Sequence, residues 1–308
     1  MDDHFSRRAL IRASALGACG LFFDSKSIAG PRTAEKGKKT RFQVACMTLP
    51  YSAFPLDRAL KGIKSAGFRY VAWGQTHAEG SGKPSPVLAE DAPLEKAKEL
   101  GLKCRDMGLE PVSMFGPSPE KLDALKHRVR QASAAKVAQV LTMGNTRGND
   151  LSLWVKNFKE LAPFARDLGV TVVVKPHGGN TGKGAALAGV TRQVADEGVK
   201  VSYDAGNVMD YHDIDPLPDL RASVDEVRGF CIKDHRNFPK DQDCGPGFGE
   251  IDHYRLLQMV AFTGRVMPLY CENISAPLIP PPADADAIDT LARRAREFLE
   301  IVIQGLQE

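Results

Sequence analysis

A lysine and a histidine stand two residues apart where a strongly apolar stretch of the sequence ends. Residues 172–179 read Val-Val-Val-Lys-Pro-His-Gly-Gly, so Lys175 and His177 follow three β-branched residues that favour a strand. Two carboxylates, Asp204 and Glu272, end apolar stretches in the same way. Imidazoles and carboxylates together can hold a divalent metal, whereas an ammonium group can stabilise negative charge that develops on a substrate oxygen. The sequence therefore raises metal-assisted and lysine-assisted chemistry as alternatives.

The elements that must position these side chains alternate between short apolar strands and amphipathic helices. Apolar residues recur at three- and four-residue steps from Trp154 to Leu168 and from Ile288 to Val302, as on one face of a helix. The strand-like runs are Phe42–Met47, Tyr70–Trp73, Pro111–Phe115, Val137–Met143, Val170–Val174, Val199–Tyr203, Val227–Ile232 and Val266–Cys271. Eight strand–helix units predict an α/β fold, the (β/α)8 TIM barrel. A doubly wound open sheet is the alternative, but no Gly-rich phosphate loop follows the first strand.

In a TIM barrel the catalytic side chains come from the carboxyl ends of the strands. The candidates at these ends are His77, Asn145, Lys175, His177, Asp204, Asn207, Lys233, His235 and Glu272. We favour structural or surface roles for His212, His253 and Asp234, because polar residues after strands often cap helices or are solvated. Asp204 and Glu272 are different, since an unpaired carboxylate at the end of a buried strand is costly and must find a partner.

Five short motifs, in strand order, resemble the sugar phosphate isomerase/epimerase family with its xylose-isomerase-like barrel. They are His177-Gly-Gly, Tyr203-Asp-Ala-Gly-Asn, Ile232-Lys-Asp, Gly247-Phe-Gly-Glu-Ile-Asp and Cys271-Glu-Asn. The resemblance covers essentially all of the chain after its first forty residues. Its members include keto-sugar epimerases, hydroxypyruvate isomerase and inosose dehydratase. The resemblance implies a divalent metal, commonly manganese, cobalt or magnesium, held by Glu, Asp, His and Glu from strands five to eight.

The implied ligand set is only half present. Asp204 and Glu272 stand where the family has its Asp and its last Glu, whereas Lys175 stands at the first Glu and Cys231 at the His. A protonated lysine cannot ligate a metal, and cysteine suits softer metals than manganese or magnesium. Two hypotheses follow from this departure.

The first hypothesis places a manganese, cobalt, magnesium, iron or zinc ion nearer to the barrel rim. Side chains alternate along a strand, so His177 is expected to point to the same side as Lys175, and His235 to the same side as Cys231. The metal ligands would then be His177, Asp204, His235 and Glu272.

The second hypothesis dispenses with the metal. Lys175, Asp204 and Glu272 would form the catalytic group, in which the ammonium stabilises an enolate oxygen and one carboxylate moves a proton. A Schiff base on Lys175 is a further option if burial lowers its pKa.

Both hypotheses predict proton abstraction next to the carbonyl group of a keto sugar or sugar derivative. Whether the reaction is an isomerisation, an epimerisation or an elimination then depends on the position to which the proton returns and on whether a group leaves the substrate. We expect His77, Asn145, Asn207 and Lys233 to bind the substrate. The alternative function is sugar binding by a barrel that has lost catalysis. Either function is compatible with a homo-oligomer.

The start of the chain predicts export. Residues 6–12, Ser-Arg-Arg-Ala-Leu-Ile-Arg, resemble a twin-arginine signal, and an apolar run follows to Phe23. We expect a signal peptide at 1–29, a polar linker at 30–40, the barrel at 41–308 and a periplasmic location. The apolar run is shorter than the roughly 20 residues that span a bilayer, so no stable membrane insertion is expected after cleavage. Lipoprotein anchoring through Cys19 is a less favoured alternative.

Net charge and cysteine spacing indicate which classes of partner and site the protein lacks. The 308 residues carry a net charge of +3, which is close to balance and argues against a nucleic-acid partner. The six cysteines show no Cys-x-x-Cys spacing, so a zinc ribbon is not predicted. A small sugar is the expected partner.

Overall fold

Parallel strands close on one another to form an eight-stranded barrel in the computed structural model of this protein, which describes residues 37–80, 83–146 and 150–308. In chain order the strands are β1 (Arg41–Met47), β2 (Tyr70–Trp73), β3 (Thr76–Ala78), β4 (Pro84–Pro86), β5 (Glu110–Phe115), β6 (Gln139–Thr142), β7 (Thr171–Val174), β8 (Val199–Tyr203), β9 (Val227–Ile232), β10 (Asp234–Arg236), β11 (Gln242–Cys244) and β12 (Val266–Cys271). The barrel runs β1-β2-β5-β6-β7-β8-β9-β12, and β12 pairs with β1 to close it. The predicted TIM barrel is confirmed, and the open-sheet alternative is wrong.

Helices connect the barrel strands and cover the outside of the barrel. They are α1 (Leu56–Ser65), α2 (Leu94–Asp106), α3 (Leu122–Ala135), α4 (Ser152–Asp167), α5 (Gly184–Val194), α6 (Ala205–His212), α7 (Pro216–Ser223), α8 (His253–Gln258) and α9 (Ala285–Gln307). The apolar stripe of α4 is fully buried at Trp154, Phe158 and Leu161, as its spacing predicts. Leu168, the last residue of that predicted stripe, lies just beyond the helix and is exposed.

Alternate residues of a barrel strand face the barrel interior, as the two-residue period of a strand requires. In β7, Val172 packs in the outer core under the helices, whereas Val173 packs inside the barrel with Cys231. Lys175 lies two residues after Val173, and its backbone N–H donates to the Thr142 carbonyl at 2.9 Å. The strand pairing therefore continues for one residue beyond β7 and points Lys175 to the interior.

Two antiparallel hairpins, β3–β4 and β10–β11, interrupt the simple alternation of strand and helix. Neither hairpin is predicted by the sequence. The second begins at Asp234, directly after β9 ends at Ile232, so the chain leaves the barrel there. Asp234 is fully buried and accepts hydrogen bonds from the backbone N–H groups of Gly247 at 2.9 Å and Ile251 at 3.0 Å. Asp234 therefore has the structural role that the sequence favours.

The predicted signal peptide at 1–29 and the first part of the linker, 30–36, lie outside the described residues. The end of the predicted linker packs on the barrel: Thr40 is buried, and its backbone N–H donates to the Ala261 carbonyl at 2.9 Å. Thr40, the last residue of the predicted linker, is thus held against the barrel, and the predicted domain bounds stay a prediction. Within the described ranges, no helix is both long enough and apolar enough to cross a membrane. Export to the periplasm stays a prediction.

Candidate active site

The carboxyl ends of β7, β8, β9 and β12 bring four side chains together at one end of the barrel. Lys175 follows β7, Asp204 follows β8, Cys231 lies near the end of β9, and Glu272 follows β12. The Nζ atom of Lys175 lies 2.8 Å from both carboxylate oxygens of Glu272 and 3.4 Å from Oδ2 of Asp204. The same Nζ lies 3.8 Å from the Cys231 sulfur. The residues predicted to form the catalytic group therefore meet in the fold.

The ammonium group of Lys175 is buried and faces two carboxylates. The residue is only 2% exposed. Burial alone would lower the pKa of Lys175, but the negative charges of Asp204 and Glu272 beside it outweigh burial and raise that pKa well above its ordinary value. Lys175 therefore keeps its positive charge throughout the neutral pH range. A Schiff base needs a neutral amine, which the ion pairs of Lys175 with Glu272 and Asp204 disfavour.

The two carboxylate oxygens of Asp204 have different surroundings. Oδ1 accepts from the backbone N–H of Asn207 at 2.9 Å and so caps the start of α6. Oδ2 faces Lys175 and has no hydrogen-bond partner among the described residues. Burial raises the pKa of Asp204, against the opposing effect of the Lys233 and Lys175 charges. Asp204 is a fully buried counter-charge for Lys175.

Glu272 is the carboxylate that reaches solvent, with 13% of its side chain exposed. Both of its oxygens accept from Lys175, and the Cys231 thiol donates to Oε2 at 3.0 Å. Burial alone would raise the pKa of Glu272, but Lys175 and the Cys231 thiol outweigh it, so that pKa lies below its ordinary value. Glu272 is therefore ionised at neutral pH and able to accept a proton.

The residues at this position do not fit a divalent metal ion. One ligand atom from each of Asp204, Cys231 and Glu272 lies within 4.8 Å of the others, a spacing that could hold an ion. However, Nζ of Lys175 already lies within hydrogen-bond distance of Glu272 and close to Asp204. A cation here would lie against the positive charge of Lys175, and the Cys231 sulfur is a soft ligand poorly matched to manganese or magnesium. Lys175 stands at the position where the family resemblance implies a glutamate ligand, and its ammonium pairs with Glu272 and Asp204.

Among the described residues, His235 groups with Asp210 and Asp243 as potential metal ligands, whereas Asp204 and Glu272 group with Cys231. The predicted metal set of His177, Asp204, His235 and Glu272 is therefore not brought together. His235 lies in β10, where the chain has already left the barrel, so strand alternation no longer points it to the interior. Its ring is buried against other carboxylates, with Nδ1 3.1 Å from Oδ1 of Asp243. The predicted rim-level metal site is therefore not assembled.

A cavity of about 320 Å³ is lined by Lys175 and Glu272. Ligand cavities in proteins commonly measure roughly 300–1,000 Å³, so this cavity suits a molecule as small as a monosaccharide. His177 and Tyr211 line it as well, with their ring centres 5.4 Å apart. Burial, followed by the charge of Lys175, lowers the pKa of His177. The His177 imidazole is therefore neutral at neutral pH and can exchange a proton with a bound molecule.

Two predicted substrate-binding residues, Asn207 and Lys233, line the same cavity. Asn207 donates from Nδ2 to the Pro176 carbonyl at 2.6 Å, which fixes the segment between Lys175 and His177. The ammonium of Lys233 pairs with Asp243. Both side chains are positioned to bind a polar ligand, and their contact with a substrate stays a prediction.

The other two predicted substrate-binding residues do not line this cavity. His77 lies in β3, is 1% exposed, and has Nδ1 2.8 Å from the Phe54 carbonyl. Asn145 accepts a hydrogen bond from the Thr181 hydroxyl at 3.2 Å and so connects the segments that follow β6 and β7. Both residues follow strand ends, but strand alternation does not determine the path of the chain after a strand, so it does not place them at this cavity.

Sequence reasoning missed Tyr211 and Asp243 as cavity residues. Tyr211 lies four residues after Asn207 in α6, so the helical period could have placed it on the same face. Asp243 reaches the cavity through the pairing of β11 with β10, for which no local pattern gives a signal.

A profile of the family described as xylose isomerase-like TIM barrel matches residues 60–300. No curated protein matches the chain. Among solved structures, an L-ribulose 3-epimerase is 14% identical with a TM-score of 0.64, and the match covers 85% of this chain and 95% of that one. These identities are low, so the structural matches show a shared fold.

Two further solved structures share the barrel. The D-allulose 3-epimerase from Methylomonas sp., in complex with D-allulose, is 15% identical with a TM-score of 0.63, covering 86% of this chain and 98% of that one. A xylose isomerase-like TIM barrel protein from Mycobacterium smegmatis, in complex with magnesium, is 14% identical with a TM-score of 0.65 over 86% and 98% of the two chains.

Proposed function

This chain belongs to the xylose isomerase-like TIM barrel family, and on that premise we propose that it is a sugar isomerase or epimerase in which Lys175 takes the place of the metal. The observation that carries the proposal is the buried Lys175 ammonium between Asp204 and Glu272, on the wall of a cavity of monosaccharide size. Epimerases of L-ribulose and D-allulose have the same fold, which supports a ketose as the substrate.

The proposed reaction begins with proton transfer from the carbon next to the ketose carbonyl to Glu272. In the free protein, the Glu272 carboxylate is the main partner of the Lys175 ammonium. When Glu272 takes up a proton, the negative charge moves to the carbonyl oxygen of the substrate, and the ammonium can pair with that oxygen instead. Charge stabilisation of this kind is usually the largest single contribution to catalysis, because the buried donor needs no reorganisation.

The product depends on where the proton returns. Return to the neighbouring carbon gives an isomer, whereas return to the opposite face of the same carbon gives an epimer. His177 lines the cavity and is neutral at neutral pH, so it is a second group that can carry a proton. Asn207 and Lys233 supply donors for the sugar hydroxyl groups.

The test is solvent deuterium exchange. The full chain is incubated in D2O with D-fructose, D-allulose or L-ribulose, and NMR follows deuterium at the carbon next to the carbonyl. We expect exchange and product with at least one ketose. Glu272→Gln should slow exchange by about 10²- to 10⁴-fold, because it removes the proton acceptor and keeps the side-chain size.

Glu297→Gln is the matched control, since Glu297 is an exposed residue of α9 and does not line the cavity. It should leave exchange unchanged. Undiminished exchange by the Glu272→Gln variant would contradict the assignment of the base. Ketose binding without any exchange by the wild type would instead favour the inactive sugar-binding barrel.

A further inference from the structure

A second cavity, of about 220 Å³, lies beside the carboxyl ends of β2 and β5. The segment after β4 and helix α3 complete its walls. It shares no lining residue with the cavity at Lys175. None of the five family motifs contributes a residue to its lining.

Arg128, in α3, gives this cavity a buried positive charge. The residue is 7% exposed. Its two terminal nitrogens both donate to one acceptor, the Leu88 carbonyl, at 3.3 Å, and its Nε–H has no hydrogen-bond partner among the described residues. No carboxylate lies within ion-pair distance in the part of the chain that the structure describes. A guanidinium has five N–H donors, so several of its donors remain available to an anion.

An unpaired buried charge is costly, which makes Arg128 unusual. Burial lowers the pKa of Arg128, and the negative charge of Glu90 opposes that effect from beyond ion-pair distance. Glu90 is exposed at the edge of the cavity, so it does not neutralise the guanidinium directly. A ligand anion that reached Arg128 would satisfy the missing hydrogen bonds and the charge together.

The remaining walls combine polar and apolar groups, with Gln75 and Glu90 among the polar ones. Trp73 closes one side and is 1% exposed, while Leu88, Met114 and Phe115 contribute further apolar surface. The volume is below the roughly 300 Å³ at which cavities for drug-sized ligands begin, so a matching ligand has about one ring. The apolar side chains give a ring a surface to pack on, and the Arg128 guanidinium gives a carboxylate a partner, so a one-ring carboxylic acid matches both features.

We propose that this cavity is a second binding site, which takes a small apolar carboxylate with its charged group on Arg128 and its ring against Trp73 and Phe115. A bidentate contact between a guanidinium and a carboxylate is the strong, oriented pairing that such a site would use. The proposal does not depend on the reaction at Lys175.

Titration calorimetry on the full chain tests the site with benzoate as the probe and benzamide as its neutral isostere. We expect benzoate to bind and benzamide to bind at least ~10-fold more weakly, because the charged hydrogen bonds are lost. Arg128→Gln should weaken benzoate binding by a similar ~10-fold or more. Glu90→Gln should tighten it about two- to fivefold, because it removes a nearby negative charge.

Arg130→Gln is the matched control, since Arg130 is an exposed residue of the same helix and does not line the cavity. It should leave benzoate affinity unchanged. Equal binding of benzoate and benzamide, unaltered binding by Arg128→Gln, or no binding of benzoate to the wild type would each overturn the proposal. If Arg128→Gln does not fold, the benzamide comparison and Glu90→Gln still decide it.

Discussion

Lys175→Met is expected to slow deuterium exchange into the ketose by about 10²- to 10³-fold, the usual effect of removing one preorganised charge stabiliser from an active site. Methionine approximates the length of the lysine side chain but carries no charge. The variant also removes the only cation within ion-pair distance of Asp204 and Glu272 among the described residues, so its free energy of unfolding should fall by about 3–5 kcal/mol. NMR exchange and urea unfolding measure the two effects separately.

The stability deficit of Lys175→Met should depend on pH. In the wild type the pKa of Glu272 is lowered, so its contribution to stability is present above its unfolded pKa and is lost as pH falls through the folded value. Without Lys175 that pKa rises, and the folded variant gains stability when Glu272 binds a proton. The difference in unfolding free energy between variant and wild type should therefore shrink from neutral pH towards pH 4.

Lys200→Met is the matched control for both measurements. Lys200 lies in β8, is 5% exposed and pairs with Glu226 at 2.9 Å, but it does not line the cavity. Lys200→Met should lower the free energy of unfolding and leave the rate of deuterium exchange into the ketose, per folded molecule, unchanged. Full exchange activity in Lys175→Met would rule out a catalytic use of the ammonium.

The double substitution Lys175→Glu and Cys231→His is expected to create a site that binds a single Mn²⁺ ion per chain. It would complete the Glu, Asp, His and Glu set that the family resemblance implies, with Asp204 and Glu272 already in place. Oxygen-rich ligands with one imidazole suit manganese, whereas the wild-type position offers an ammonium group and a soft sulfur ligand. Titration calorimetry with Mn²⁺ and elemental analysis after gel filtration measure the gain.

Cys231→His alone is the control, because it supplies the imidazole but keeps the Lys175 ammonium. It should bind Mn²⁺ no better than the wild type. Equal Mn²⁺ binding by wild type and double variant at this site would show that the ammonium does not exclude the metal. Failure of a well-folded double variant to bind would show that the position differs from a metal site in more than these two residues.

Most of the barrel and the centre of the candidate site could be predicted from sequence because both depend on local periods. The two-residue period of β7 and β9 correctly turns Lys175 and Cys231 to the interior. The same rule fails for His235. Strand β9 ends at Ile232, so His235 belongs to the β10–β11 hairpin and not to a barrel strand.

The positions of loop residues depend on contacts between distant parts of the chain. His77 follows the end of β2, but the β3–β4 hairpin buries it against the Phe54 carbonyl. Asp243 comes from a strand that the sequence does not predict, yet it pairs with Lys233 at the cavity. Such positions depend on hairpin pairing and loop packing. Neither produces a periodic pattern in the sequence from which the position of a side chain could be predicted.

The charge pattern explains why Lys175 need not destabilise the barrel. A buried ammonium is tolerated when carboxylates compensate it, and here Glu272 and Asp204 both lie within ion-pair distance. The same arrangement holds Glu272 ionised against the wall of the cavity. A residue that looks incompatible with the family's metal chemistry can thus support proton transfer by electrostatic means.

The most direct test of this account is deuterium exchange into the ketose by the wild-type chain in excess EDTA, after metals have been removed by dialysis against the chelator. Metal-independent proton transfer at Lys175 and Glu272 predicts the same exchange rate with EDTA as without it, and no increase on addition of Mn²⁺. Loss of exchange in EDTA with recovery on addition of Mn²⁺ would contradict the account, because the ammonium would then not have replaced the metal.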